Sequence, residues 1–275
     1  MGTQWDGLAT DFNSGVWLVS YCQQPFWEGQ YKKLAEERSG GPWTVLDVGC
    51  GTGSHTVRTL QAGASYVLAF DVSKDMVEKA KLEVDKFFQS QALPESKVDC
   101  VVASVTDCSS IPEAQEGTFD LAVCGYVLCN LGSKDEIRQA LKEIYKLLKP
   151  GGKLMISETH VIQYTLEWDN ESVVPLLYKW CTPKEDGTKW NYFEDEGKPR
   201  ELRMRMNSGR EIKVTNRLYT LSTWVSLIVE AGFQITQFLE PYVDSKAIPA
   251  DAPDYMKYAA GKPTDMFWEC TKPNL

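Results

Sequence analysis

The chain has 275 residues, 43% of them hydrophobic and 24% charged, which suits one large globular α/β domain with an insertion, or two small domains. A formal net charge of −9 repels polyanions and gives no basic footprint for DNA or RNA. Eight cysteines form no C-x-x-C pair and have no His at metal-ligand spacing, which argues against a disulfide framework or a metal site and for a reducing compartment.

Residues 1–40 read as helical and rich in aromatics, with Trp5, Phe12, Trp17, Tyr21, Phe26, Trp27 and Tyr31. Before the first apolar run, at 15–22, there are two aspartates and no Lys or Arg. A secretory signal has the opposite charge, and no later run reaches transmembrane length. A cytoplasmic location with no membrane partner is expected.

Val45-Leu46-Asp47-Val48-Gly49-Cys50-Gly51-Thr52-Gly53-Ser54 begins as a buried strand and ends in glycines spaced two apart. A helical pattern with Val57 and Leu60 on one face follows, and Gly63 stops it. Strand, glycine turn and helix together let a ligand touch bare backbone at a helix N-terminus. The spacing is D-x-G-x-G-x-G, whereas a dinucleotide fingerprint is G-x-G-x-x-G.

A second buried strand, 66–71, ends in Asp71. A carboxylate about twenty residues beyond such glycines is placed to take both hydroxyls of a ribose. Ser73 caps the next helix, whose stripe is Met76, Ala80, Val84 and Phe87/Phe88. Residues 98–103 form a third strand, and 118–124 a fourth that exits through Gly125-Tyr126-Val127-Leu128-Cys129-Asn130-Leu131. Ser133-x-x-Glu136 is a capping box for a helix with stripe Ile137, Leu141, Ile144 and Leu148. Lys149-Pro150-Gly151-Gly152 then turns into a strand at 153–157.

From 158 to about 217 the βα alternation lapses. Aromatics including Tyr164, Trp168 and Trp190 occur among charges, and 201–206 and 210–215 alternate as a β-hairpin around Asn207-Ser208-Gly209. The segment reads as a cap inserted over the carboxyl ends of the strands, where open α/β sheets bind ligands. Ser222 caps a helix through Ala231, 233–239 is a strand, and 266–270 is the last.

The D-x-G-x-G-x-G form, the fourth strand with its exit loop, and the "L-K-P-G-G" turn, in that order, resemble the class I S-adenosylmethionine-dependent methyltransferases. "L-S-T-W … E-A-G-F" adds a resemblance to bacterial-type small-molecule members. The implied fold is a three-layer, doubly wound, Rossmann-like α/β fold, with a mostly parallel seven-stranded sheet whose last strand is antiparallel. The implied organisation is an N-terminal helical segment over the site (1–40), a core (41–160 and 217–275) and a substrate cap (161–216).

By the same resemblance the cofactor is S-adenosyl-L-methionine. Gly49, Cys50 and Gly51 pass under its amino-acid part, Asp47 orients its ammonium group, Asp71 takes the ribose, and Val72 is a further cofactor-binding residue. Ser104 and Val105 hold the adenine, with Asp107 as the alternative polar group, and Cys124 lies on the cofactor side of the fourth strand. Tyr21 is expected toward the cofactor, and Trp27, Asn130, Tyr164 and Trp168 toward the acceptor.

Methyl transfer is an in-line displacement in which alignment does most of the work. A base is needed only where the acceptor must lose a proton. Of the two histidines, His55 on the helix after the glycine turn reads as structural. His160, after the fifth strand, is the candidate base together with Tyr126, and Glu158 and Asp169 are reserves. The expected function is methylation of a small molecule at O, N or S by a monomer or homodimer. The alternatives are a protein- or RNA-modifying methyltransferase, and a cofactor-binding protein without methyl transfer.

Overall fold

The computed structural model describes residues 3–12, 22–37, 41–90, 96–161, 179–181, 184, 187–188, 190–205, 210–252, 257 and 260–274. Two helices come first, α1 (Ala9–Phe12) and α2 (Gln24–Glu37). The core then alternates through β1 (Thr44–Val48), α3 (Ser54–Gln61), β2 (Tyr66–Asp71), α4 (Lys74–Ser90), β3 (Lys97–Val102), β4 (Phe119–Gly125), α5 (Lys134–Leu147) and β5 (Leu148–Thr159). An insert supplies β6 (Lys179–Cys181), β7 (Pro199–Arg205) and β8 (Glu211–Arg217). The chain then returns through α6 (Leu221–Glu230), β9 (Gln234–Leu239) and β10 (Asp265–Thr271).

Seven strands make one sheet in the order β3-β2-β1-β4-β5-β10-β9. The pairs from β3 to β5 are parallel, and β10 is antiparallel to both neighbours. Helices cover both faces, so the central strands read as unbroken apolar runs. Val45, Leu46 and Val48 of β1 and Leu121, Ala122 and Val123 of β4 are fully buried. Burying each such Val or Leu contributes about 1.5–3 kcal/mol.

The local signals act as expected for most elements. Met76, Val77, Ala80, Val84 and Phe87 form the buried face of α4. Ser133 Oγ accepts from the Glu136 amide at 3.2 Å, while the Glu136 carboxylate reaches back to the Gly132 amide at 2.9 Å. The cap of α6 is Thr220 rather than Ser222. Thr220 Oγ1 accepts from the Thr223 amide, and Ser222 lies inside the first turn with its hydroxyl 3.0 Å from that of Thr220.

β6, β7 and β8 form a separate antiparallel sheet. Its hairpin pairs Pro199 with Arg217 through to Arg205 with Glu211, so the expected hairpin is present with strands longer at their outer ends. Ile212 and Val214 of β8 pack with Leu8, Ala9 and Met76. Gln4 bridges to β8 twice, accepting from the Thr215 amide at 2.8 Å and donating to the Thr215 carbonyl at 3.1 Å. Gly7 donates to Asp75 on α4 at 2.7 Å. The N-terminal residues thus strap the inserted sheet to the core. Among the described residues no helix is long and apolar enough to cross a membrane.

Candidate active site

β1 pairs with β2 on one side and β4 on the other. At this switch point the connections leave in opposite directions and open a crevice at the carboxyl ends. A cavity of about 460 Å³ occupies it. Its floor is the glycine turn, one wall is the ends of β2 and β3, and the opposite wall is the loop leaving β4. Trp5, Val214 and Asn216 reach it from the N-terminal strap and from β8.

Two glycines make the floor possible. Gly49 has φ +64°, and a Cβ there would stand 2.4 Å from Val127 Cγ2, so a side chain would drive the two walls apart. Gly51 has φ +53°, and a Cβ there would meet nothing within 4 Å. Its bare backbone borders the open cavity. The Gly51 amide donates to Asp71 Oδ2 at 3.0 Å, and the Ser73 amide donates to Oδ1 at 2.8 Å. Burial raises the Asp71 pKa against these two bonds. Beneath the turn, Asp47 Oδ2 accepts from Thr56 Oγ1 at 2.5 Å, and burial pushes its carboxyl up to about 7.

The loop after β4 is tied from three directions. Tyr126 has φ +57°, and among the described residues no other non-glycine residue has a positive φ. Its amide donates to the Ser157 carbonyl at 2.7 Å, and its carbonyl accepts from Asn130 Nδ2 at 2.7 Å. Glu158 Oε1 accepts from the Leu128 and Cys129 amides at 3.0 and 3.2 Å. The end of β5 therefore fixes the loop that carries Cys129 and Asn130.

Of the residues expected from sequence, Trp27, Gly49, Cys50, Gly51, Asp71, Val72, Ser104, Val105, Tyr126 and Asn130 line the cavity. Asp47 and Cys124 do not line it and are buried in the strands beneath. Tyr21, Tyr164, Trp168 and Asp169 lie outside the described residues. His160 is not among the residues that line this cavity. β5 continues to Thr159, and the His160 amide there donates to the Thr264 carbonyl at 3.0 Å. Its imidazole is buried with Nε2 2.8 Å from Glu240 Oε1.

The other histidine is the one at the cleft. His55 lines the cavity, with Nδ1 2.8 Å from Tyr31 Oη and its ring edge-on to Trp27. Burial lowers its pKa to about 3, so the imidazole is neutral. Sequence reasoning also passed over Gln23, Arg58 and Asn216, all of which line the cavity. Arg58 had a legible signal, being one helical turn beyond Ser54 at the start of α3. Asn216 had another: it is the polar residue in the inward row Ile212, Val214, Asn216, Leu218, all buried. Among the described residues its Oδ1 has no hydrogen-bond partner.

The cavity suits an adenosine-bearing ligand with an amino-acid tail. Asp71 presents a carboxylate to the cavity, and the space above Gly51 is open and one that a Cβ would intrude on. The comparisons agree. A family described as "Methyltransferase domain" matches residues 46–156. A demethylmenaquinone methyltransferase of Lactiplantibacillus plantarum is 32% identical over 62% of this chain and 70% of its own length. One from Lactococcus lactis is 26% identical over 63% of this chain and 66% of its own. The matched stretch thus spans about two thirds of these relatives. Among solved structures, the CcbJ methyltransferase from Streptomyces caelestis has a TM-score of 0.63 at 14% identity, with 99% of this chain and 98% of that chain covered. The glycine turn, the carboxylate that closes on it and these likenesses agree on one family, and the chain belongs to the class I S-adenosylmethionine-dependent methyltransferases.

Proposed function

We propose that the protein methylates a small, largely apolar acceptor that offers a hydrogen-bond donor. The observation that carries this is Asn216. Asn216 is 1% exposed and lines the cavity, and its Oδ1 has no partner among the described residues. A buried unpaired amide costs stability, about 1–3 kcal/mol, and persists where a ligand completes it. β8 and the N-terminal strap also border the cavity, a setting for a small molecule rather than a polymer lying along a groove. With a net charge of −9, the RNA-modifying alternative has little support. Demethylmenaquinone methyltransferases, the relatives named above, act by name on a quinone-type compound, which fits this class.

S-adenosylmethionine supplies an electrophilic methyl group on a sulfonium. The chain's contribution is to hold, align and keep dry. In this reading Gly49, Cys50 and Gly51 lie under the amino-acid part, and Asp71 accepts from the ribose hydroxyls beside Val72. Ser104 and Val105 border the adenine, and Asp47 and Cys124 support the floor from below. Trp27, Tyr126, Asn130 and Asn216 form the acceptor side, and residues 161–216 act as the substrate cap. Alignment of this kind supplies about 7–11 kcal/mol of a displacement barrier.

The test is a transfer assay with methyl-labelled cofactor against three panels: naphthols and hydroquinones, short peptides, and RNA oligomers. Label in the first panel alone is the expected result. Label in peptide or RNA alone would replace this reading with the polymer-modifying one.

A further inference from the structure

We infer that Tyr126 takes up the proton a hydroxyl acceptor loses on methylation and passes its own proton to Asp265. The inference rests on the reading above, that this cleft methylates a small acceptor. Tyr126 and Gln23 both line the cavity. The Tyr126 hydroxyl donates to Asp265 Oδ1 and accepts from Gln23 Nε2 at 2.6 Å. Asp265 opens β10 and is 3% exposed. Its Oδ2 accepts from Thr264 Oγ1 at 2.7 Å, and Gln23 Nε2 stands 3.3 and 3.4 Å from its two oxygens. The residues before α2, the loop after β4 and the start of β10 thus converge on one phenol.

The backbone argues that the phenol has a use. Tyr126 is held at φ +57°, a conformation glycine adopts at no cost and a bulky residue adopts only when its surroundings over-determine it. Such strain concentrates at functional sites. A tyrosine kept there brings a ring and a hydroxyl, and the hydroxyl is bonded to a buried carboxylate. Burial and then the Asp265 charge hold the Tyr126 pKa well above the usual phenol value. The group therefore rests protonated and acts as a conduit.

The acceptor oxygen forms its bond to the methyl carbon as the methyl–sulfur bond breaks, and the electron pair of that bond stays on sulfur. The acceptor O–H bond breaks with its proton moving to Tyr126 Oη. The proton already on Oη moves along the existing hydrogen bond to Asp265 Oδ1. When product leaves, the two transfers reverse and deliver the proton to water in the cleft. An aromatic thiol, ionised by itself near neutral pH, needs none of this.

The experiment uses the whole chain with methyl-labelled cofactor and two probes of one shape, 2-naphthol and 2-naphthalenethiol. Tyr126→Phe and Asp265→Asn are each expected to lower the ratio of kcat for 2-naphthol to kcat for the thiol by about 100-fold, with S-adenosylhomocysteine binding within about threefold. Equal loss on both probes, or no loss on either, overturns the relay while leaving methyl transfer standing. Wild-type transfer to the thiol alone overturns it too. No transfer to either probe overturns the relay and the reading beneath it. Should Asp265→Asn fold poorly, Tyr126→Phe, which keeps the ring, carries the same test. One readout needs no turnover: in ligand-free protein labelled with 13Cζ-tyrosine, the resonance absent from Tyr126→Phe is expected to shift in Asp265→Asn. An unmoved resonance would show that the two groups are not joined.

Discussion

Asp71 closes on Gly51. The carboxylate at the end of β2 accepts the Gly51 amide at 3.0 Å, so the residue expected to read the ribose also fixes the turn expected to cradle the tail. The two halves of the cofactor floor are one mechanical unit, and damage to either side is transmitted to the other.

Gly49→Ala tests the closeness of the two walls. The new Cβ would stand 2.4 Å from Val127 Cγ2 in a left-handed conformation, a strain of about 1–3 kcal/mol. Thermal melting is expected to fall by several degrees, and S-adenosylhomocysteine affinity to drop about tenfold or more, because Val127 lies on the cavity wall.

Asp47 predicts a pH dependence of stability. Its carboxyl titrates near 3.8 when unfolded and about 7 in the fold, with burial as the main cause. Between those values the native state keeps a proton that the unfolded state has lost, so stability falls as pH rises through that window and levels off above it. His55, lowered by burial from 6.5 to about 3, acts the opposite way: its contribution is lost as pH falls below 6.5. From about pH 5 to about pH 8 the urea midpoint should therefore rise in Asp47→Asn, which retains the His55 slope, and should fall relative to that variant in the wild type.

Asn216→Leu separates folding from function. Removing a buried amide whose Oδ1 has no partner among the described residues should leave ligand-free melting unchanged or raised, while the acceptor KM rises about tenfold. A loss of stability with an unchanged KM would make Asn216 structural.

Glu158→Gln probes the clamp on the exit loop. A carboxylate accepting two backbone amides makes bonds of about 1.5–3 kcal/mol each, stronger than those of a neutral amide. Turnover is expected to fall about tenfold through loosening of Cys129 and Asn130, with cofactor affinity nearly intact by calorimetry.

The floor of the site was legible because its chemistry is local. Gly49, Gly51 and Asp71 are fixed by spacing along two consecutive βα units, and the buried runs of β1, β2 and β4 carry the parallel sheet in their composition. The rest of the cavity wall was not, because it is assembled from afar. Gln23 meets Asp265 across 242 positions and Gln4 meets Thr215 across 211, and nothing periodic announces either pair. The two histidines show the same limit. The sequence ends the fifth strand at 157, whereas β5 runs two residues further, and the imidazole of His160 meets Glu240. His55 was read as structural from its helix, and whether that helix face met the cavity depended on how α2 packs over it.

The central claim is that the cleft binds adenosylmethionine through the Asp71–Gly51 unit, and calorimetric titration with S-adenosylhomocysteine tests it most directly. Micromolar binding by the wild type, no binding of NADH, and a loss of about tenfold or more in folded Asp71→Ala are expected, since hydrogen bonds to a charged group contribute about 1.5–3 kcal/mol each. Unchanged affinity in Asp71→Ala, or binding of NADH in place of S-adenosylhomocysteine, would contradict it.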